Sequence, residues 1–198
     1  MKIIGISGQS GAGKSALAEM LSSFGLGRNI EVDSVGHDLL DEPEISEKLC
    51  GYFGEDIKSE KGFIDRKKLG AKAFATNKSL EFLNSVMHPA MRELVRKEIS
   101  IDKAKGEKFA IINAALLYKM RLDEMCDLVV YVRSKPEERL ERLVNYRNWT
   151  RESAKERLFS QDPEPVSGSG IVFIDNNGTL SDLRNKAKAF AEKLLNSC

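Results

Sequence analysis

Apolar residues along this chain fall into two rhythms. Short unbroken runs, KIIGIS at 2–7, IEVD at 30–33, residues 108–113 within KFAIINAALL, DLVVYV at 127–132 and residues 171–174, read as strands buried on both faces. Between the first two, Ala16, Leu17, Met20, Leu21 and Phe24 recur at three- and four-residue steps. That spacing predicts a helix from Lys14, stopped by Gly25 and Gly27. Helical patterning returns over 39–53, with Pro43 near its start and Gly54 near its end, over 66–75, and over 78–103, where Pro89 is expected to kink or divide the helix. Further helices are predicted over 136–145, with Pro136 in the first turn, over the polar stretch 147–161, and over 180–195. DPEPVSGSG at 162–170 reads as a connection and NNG at 176–178 as a turn.

Strand, Gly-rich loop, helix, strand is an α/β opening. Five short strands with helices between them predict a three-layer core around a five-stranded parallel sheet. Residues 34–105 hold no convincing strand, so they are expected to form a helical insertion into a core built from 1–33 and 106–198.

The 198 residues suffice for one sizeable core with a small lobe. With 31% charged and 41% apolar residues the composition is that of a globular protein. A formal net charge of +1 argues against a long nucleic-acid groove, though not against a local anion site. Cys50, Cys126 and Cys198 are too scattered for a disulfide framework or metal cluster and read as reduced thiols of a cytoplasmic protein. The strand-like start does not read as a signal peptide, and no run approaches the ~20 apolar residues of a membrane span. Neither nucleic acid, nor membrane, nor an obligate protein partner is indicated.

GQSGAGKS, Gly8 to Ser15, fits G-x-x-x-x-G-K-[ST] and sits after a strand and before a helix. Gly8, Gly11 and Gly13 let the backbone curl so that N–H groups face an anion, and the helix start adds its positive end. Lys14 is expected on the β- and γ-phosphates of ATP, and Ser15 is the candidate Mg²⁺ ligand. Gly8, Gln9, Ser10, Gly11, Ala12, Gly13, Lys14, Ser15 and Ala16 form the expected nucleotide site in a core of the P-loop NTPase type. The guanine-reading N-K-x-D is missing after the fourth strand, and the third strand ends in Asn113 rather than an acidic metal ligand. A GTPase, a motor and an ABC-type ATPase fit poorly. A small-molecule kinase fits better, because Arg139, Arg142, Arg147, Arg151 and Arg157 make residues 139–161 an arginine-rich lid candidate.

Asp33, placed at the end of the second strand, can take the proton of an attacking hydroxyl, hold a water on Mg²⁺, or cap the following helix. His37 and His88 are structural or touch a phosphate or base edge. Arg66 and Arg92 form either a solvated face or the anion-binding wall of an acceptor pocket.

Taken in order, several segments resemble the dephospho-coenzyme A kinase family over nearly the whole chain. IEVDSVGHDLL at 30–40 is similar to the family's segment with Asp followed four residues later by His or Arg. GFIDRKKLGAKAF at 62–74 is close to G-x-[IL]-[DN]-R-x-x-L-G-x-x-x-F. LNSVMHPAMR at 83–92, RLFSQ at 157–161 and FIDNNGTLSDL at 173–183 follow in register. The resemblance implies transfer of the γ-phosphoryl of ATP to the ribose 3′-hydroxyl of dephospho-CoA, with Mg²⁺. It makes Asp33 the catalytic base, with Lys14 and Arg142 also catalytic. It puts His37, Arg66, His88 and Arg92 beside Asp33 in a helical acceptor-binding insertion, and Arg139, Arg142, Arg147 and Arg151 in the lid. The chain departs from the family where D-[IV]-P-L-L-[FY]-E is replaced by NAALLYK: Asn113 stands for the acid, Ala115 for the proline and Lys119 for the glutamate. Tyr146-Arg147 puts a lid arginine one residue out of register. Two alternatives stay open: a kinase of another small acceptor, such as a nucleoside or nucleotide, and a nucleotide-binding regulatory protein without turnover.

Overall fold

β1 (Lys2–Gly8) is buried from Ile4 onward, as an apolar run must be when helices cover both faces of a parallel sheet. A computed structural model of the chain describes residues 1–147, 149–159, 164–165 and 170–197, with nothing to be said of the side chains of Tyr146, Arg147 and Arg157. The connection read at 162–170, Gln161 of RLFSQ and Cys198 therefore fall wholly or mostly outside the described residues.

Five strands pair in parallel in the order β2-β3-β1-β4-β5, with β2 at Arg28–Glu31, β3 at Phe109–Asn113, β4 at Leu128–Arg133 and β5 at Ile171–Asp175. The predicted parallel five-stranded sheet is thus present. On one face, Ile4, Ile6, Phe109, Ile111, Val130, Val132 and Ile174 pack against α1 (Lys14–Ser23) and α8 (Leu180–Leu195) through Leu17, Leu21, Leu183 and Ala187. On the other face, Gly5 admits Leu117 and the Cys126 thiol so closely that a Cβ would lie 2.8 Å from Cys126 Sγ. Burial pushes that thiol up to about 12, so Cys126 is held neutral. β1 is flanked by β3 on one side and β4 on the other. The chain therefore reverses its winding direction at β1, and the carboxyl end of such a strand is where open α/β sheets bind their ligands.

Two differences from the sequence reading bear on the site. The second strand is shifted: it ends at Glu31, and Val32 opens α2 (Val32–Asp38). Glu31 pairs with Asn113, the last residue of β3, so the ladder has no partner for residues 32 and 33. Asp33 is accordingly a first-turn helical residue, not a strand end. Pro89 does not divide the long helix: α5 runs unbroken over Asn77–Ala104. The proline removes one N–H from the ladder, and the buried row Met87, Met91 and Val95 keeps the helix continuous around it.

The chain forms two compact units, residues 1–31 with 99–198, and residues 32–98. The second comprises α2, α3 (Pro43–Phe53), α4 (Arg66–Ala73) and most of α5. Its interior is Leu40, Ile45, Leu49, Phe53, Ile57, Leu69 and the α5 row. Lys72 donates to the carbonyl of Phe53 at the end of α3 and pairs with Asp56 at 2.6 Å, a cation where a helix leaves its carbonyls unmatched. Among the described residues no helix is long and apolar enough to cross a membrane.

Candidate active site

Between β1 and α1 the loop turns on glycines. Gly13 sits at the cap position of α1 with φ 99, where a Cβ would overlap the Asn176 amide. Gly11 has φ 77, and a Cβ there would lie 2.7 Å from the Arg139 carbonyl oxygen. Both positions need the left-handed region and the space of a missing side chain. Glycine also brings no capping group, which leaves a helix start suited to an anion.

Three side chains fix the direction of the loop by gripping its carbonyls. Arg139 Nε donates to Ser10 O at 3.1 Å, Arg142 Nη1 to Gly11 O at 3.4 Å, and Asn176 Nδ2 to Ala12 O at 2.8 Å. In a planar trans peptide the N–H points opposite to the C=O. The N–H groups of Gly11 and Gly13 are therefore turned away from this shell, while the Ala12 N–H donates to Gln9 O at 3.1 Å. The shell is braced in turn. Asn176 O accepts from Ser134 Oγ at 2.8 Å and from Arg142 Nη2 at 3.0 Å, and Arg142 Nη1 also donates to Ser134 Oγ at 3.0 Å. Arg139 also donates to the Gln9 side-chain oxygen. Burial pushes Arg139 below the ordinary arginine range, opposed by Tyr131 and Glu164. A guanidinium nonetheless remains a cation.

Two residues of the lid candidate also support the loop. Arg139 is 5% exposed, and Arg142 has its guanidinium on Gly11, Ser134, Asn176 and, at 3.7 Å, Glu138. Both are built into the support of the loop, because a guanidinium can satisfy several carbonyls at once. The segment is two helices, α6 (Pro136–Arg147) and α7 (Arg151–Phe159). Arg151 pairs with Glu141 of α6 at 3.1 Å. The side chain of Arg147 lies outside the described residues.

On the ligand side, Lys14 Nζ folds back to Gln9 O at 3.3 Å. Ser15 Oγ donates to Glu31 Oε1 at 3.2 Å. A hydroxyl beside a carboxylate is a hard-oxygen pair that suits a small divalent cation. Asn113, at the end of β3, is 3% exposed, and its Nδ2 has no partner among the described residues.

In the helical unit, Asp33 and His37 are exposed and four residues apart on α2, hence on one face. Gly36 lies against Met91 of α5, where a Cβ would be 2.7 Å from Met91 Cε. That contact brings α2 to the turn of α5 that carries His88 and Arg92, also four residues apart. Arg66 lies on a different helix from these four. It opens α4, whose cap Asp65 accepts from the N–H groups of Lys67 at 2.9 Å and Lys68 at 3.2 Å.

Sequence reasoning missed Ser134, Asn176 and Glu31. NNG was legible only as a turn, and Glu31 only as part of a strand.

The family model described as dephospho-CoA kinase matches residues 2–182. A dephospho-CoA kinase of Corynebacterium glutamicum is 36% identical over 195 residues, covering 97% of this chain and 96% of its own. A crystal structure of TT1252 from Thermus thermophilus superposes with a TM-score of 0.78 at 27% identity, covering 98% of this chain and 97% of that one. A dephospho-CoA kinase from Campylobacter jejuni has the same fold, with a TM-score of 0.68 at 20% identity over 98% of each chain.

Proposed function

This chain belongs to the dephospho-CoA kinase family, and from that premise we propose that it transfers the γ-phosphoryl group of ATP to the ribose 3′-hydroxyl of dephospho-CoA. The observation that carries the reading is the loop whose carbonyls are gripped by Arg139, Arg142 and Asn176. Its backbone donors are set before any ligand arrives, so they cost no reorganisation during reaction. They receive the phosphates together with Lys14, whose ammonium leaves the Gln9 carbonyl for the β- and γ-oxygens.

Asp33 is the proton acceptor in this reading. The 3′-oxygen forms a bond to the γ-phosphorus as its proton passes to the Asp33 carboxylate. The bond from that phosphorus to the bridging oxygen breaks, and ADP leaves with the electron pair. His37 lies on the helix that carries Asp33, His88 and Arg92 lie on the helix that packs against it at Gly36 and Met91, and the three supply donors and positive charge for the phosphates of the acceptor. Ser15 and its carboxylate neighbour suit Mg²⁺, which when bound neutralises charge on the β- and γ-phosphates.

ADP formation from ATP in a panel of dephospho-CoA, nucleosides and nucleoside monophosphates tests the assignment. Turnover is expected with dephospho-CoA. Turnover confined to a nucleoside or nucleotide replaces the acceptor, and nucleotide binding without turnover on any of them replaces the enzyme with a binding protein.

A further inference from the structure

A metal-dependent phosphoryl transfer needs a carboxylate near the β- and γ-phosphates, and the end of β3 offers a neutral amide instead. Asn113 is buried there, with its Nδ2 unpartnered among the described residues. The strand register shows where an acid does stand. Glu31 is the lateral neighbour of Asn113 on β2, and Asn113 is the lateral neighbour of Ile6 on β1. Lateral neighbours in a parallel sheet project to the same face, and strands lie ~4.8 Å apart. Ile6 belongs to the cluster packed on α1, so Glu31 and Asn113 share the face on which α1 lies. Glu31 Oε1 already accepts from Ser15 Oγ at 3.2 Å, and Ser15 is the second residue of α1. Among the described residues no three His, Cys, Asp or Glu side chains gather into a metal site. Mg²⁺ needs no such cluster, since it keeps several waters and takes one or two carboxylates plus substrate phosphates.

We infer that Glu31 is the carboxylate that, with Ser15, holds the divalent cation accompanying the bound nucleotide, in place of an acid at the end of β3. The unpartnered amide of Asn113 lies one strand away and can donate to an oxygen in the cation's water shell or on a phosphate. The inference rests on the reading of the loop as a nucleotide site.

The test is Mn²⁺ titration of the full chain with ADP, followed by the electron paramagnetic resonance signal of free Mn²⁺. Glu31→Gln should weaken Mn²⁺ binding in the ADP complex on the order of tenfold to a hundredfold. ADP affinity in EDTA should stay as in the wild type, since backbone N–H groups and Lys14 set it. Asn113→Asp in the Glu31→Gln background should recover much of the Mn²⁺ affinity, by returning a carboxylate one strand over. Wild-type Mn²⁺ affinity in folded Glu31→Gln overturns the inference. Should Glu31→Gln lose its fold by circular dichroism, Asn113→Asp alone decides: tighter Mn²⁺ binding supports the carboxylate logic of this corner and unchanged binding overturns it. A wild-type chain that binds no ADP in EDTA defeats the nucleotide-site reading instead, so the two failures are distinguishable.

Discussion

Arg139, 5% exposed, and Asn176, 6% exposed, hold opposite ends of one short loop by its carbonyls. Truncating either leaves a carbonyl that has lost its donor in a water-poor setting. Asn176→Ala should therefore lower unfolding free energy by about 1–3 kcal/mol, and Arg139→Ala by a similar amount, measured by urea denaturation. A lid arginine behaves differently: its loss changes turnover and leaves the urea midpoint in place. Asp33→Asn is the converse case. Asp33 is exposed, and its replacement should cut turnover roughly 10²- to 10⁴-fold while ATP affinity and stability hold. Unchanged turnover removes Asp33 from the proton transfer. The turn before Lys14 and Ser15 was legible in the sequence because the glycine spacing there has a direct backbone consequence. The grip of Arg139 and Arg142 on the loop was not legible, because an arginine buried on carbonyls and an arginine in solvent have the same letter, and α6 is too polar for its pattern to separate them.

Helix ends carry the pH dependence that the structure makes visible. Hydrogen bonds from the N–H groups of Lys68 and Lys67 hold the Asp65 carboxyl below the usual carboxylate range. The Thr179 side chain, then its N–H, does the same for Asp182 in the capping box of α8. A carboxyl depressed in the folded state stabilises it fully above the unfolded value, and the contribution is lost as pH falls through the folded value. Thermal midpoints should thus fall on acidification below the ordinary carboxylate range, and Asp65→Asn with Asp182→Asn should start lower at neutral pH and decline less. An acid limb as steep as that of the wild type would contradict this. Helix α8 was readable because its apolar period is unambiguous. The end of β2 was not, since IEVD keeps a strand-like pattern past the point where the neighbouring strand runs out. Only the register with Asn113 shows that Val32 and Asp33 must turn.

At the scale of the whole chain, the parallel order β2-β3-β1-β4-β5 puts the glycine loop where the winding reverses, which is why one short motif can organise a site from β1, β4, β5 and α6. That convergence is three-dimensional: Ser134 and Asn176 follow the ends of two strands, and Asn176 bonds the loop directly while Ser134 braces it through Asn176, both more than a hundred residues from the loop in sequence. The fold class and the family were legible because each strand is a separate apolar run and the similar segments come in a fixed order. The experiment to perform is incubation of the purified chain with ATP, Mg²⁺ and dephospho-CoA, with the product identified by mass and by the site of its new phosphate. One phosphate on the ribose 3′-oxygen, formed with an equal amount of ADP, is the expected result. Dephospho-CoA recovered unchanged, or phosphorylated at any other atom, would contradict it.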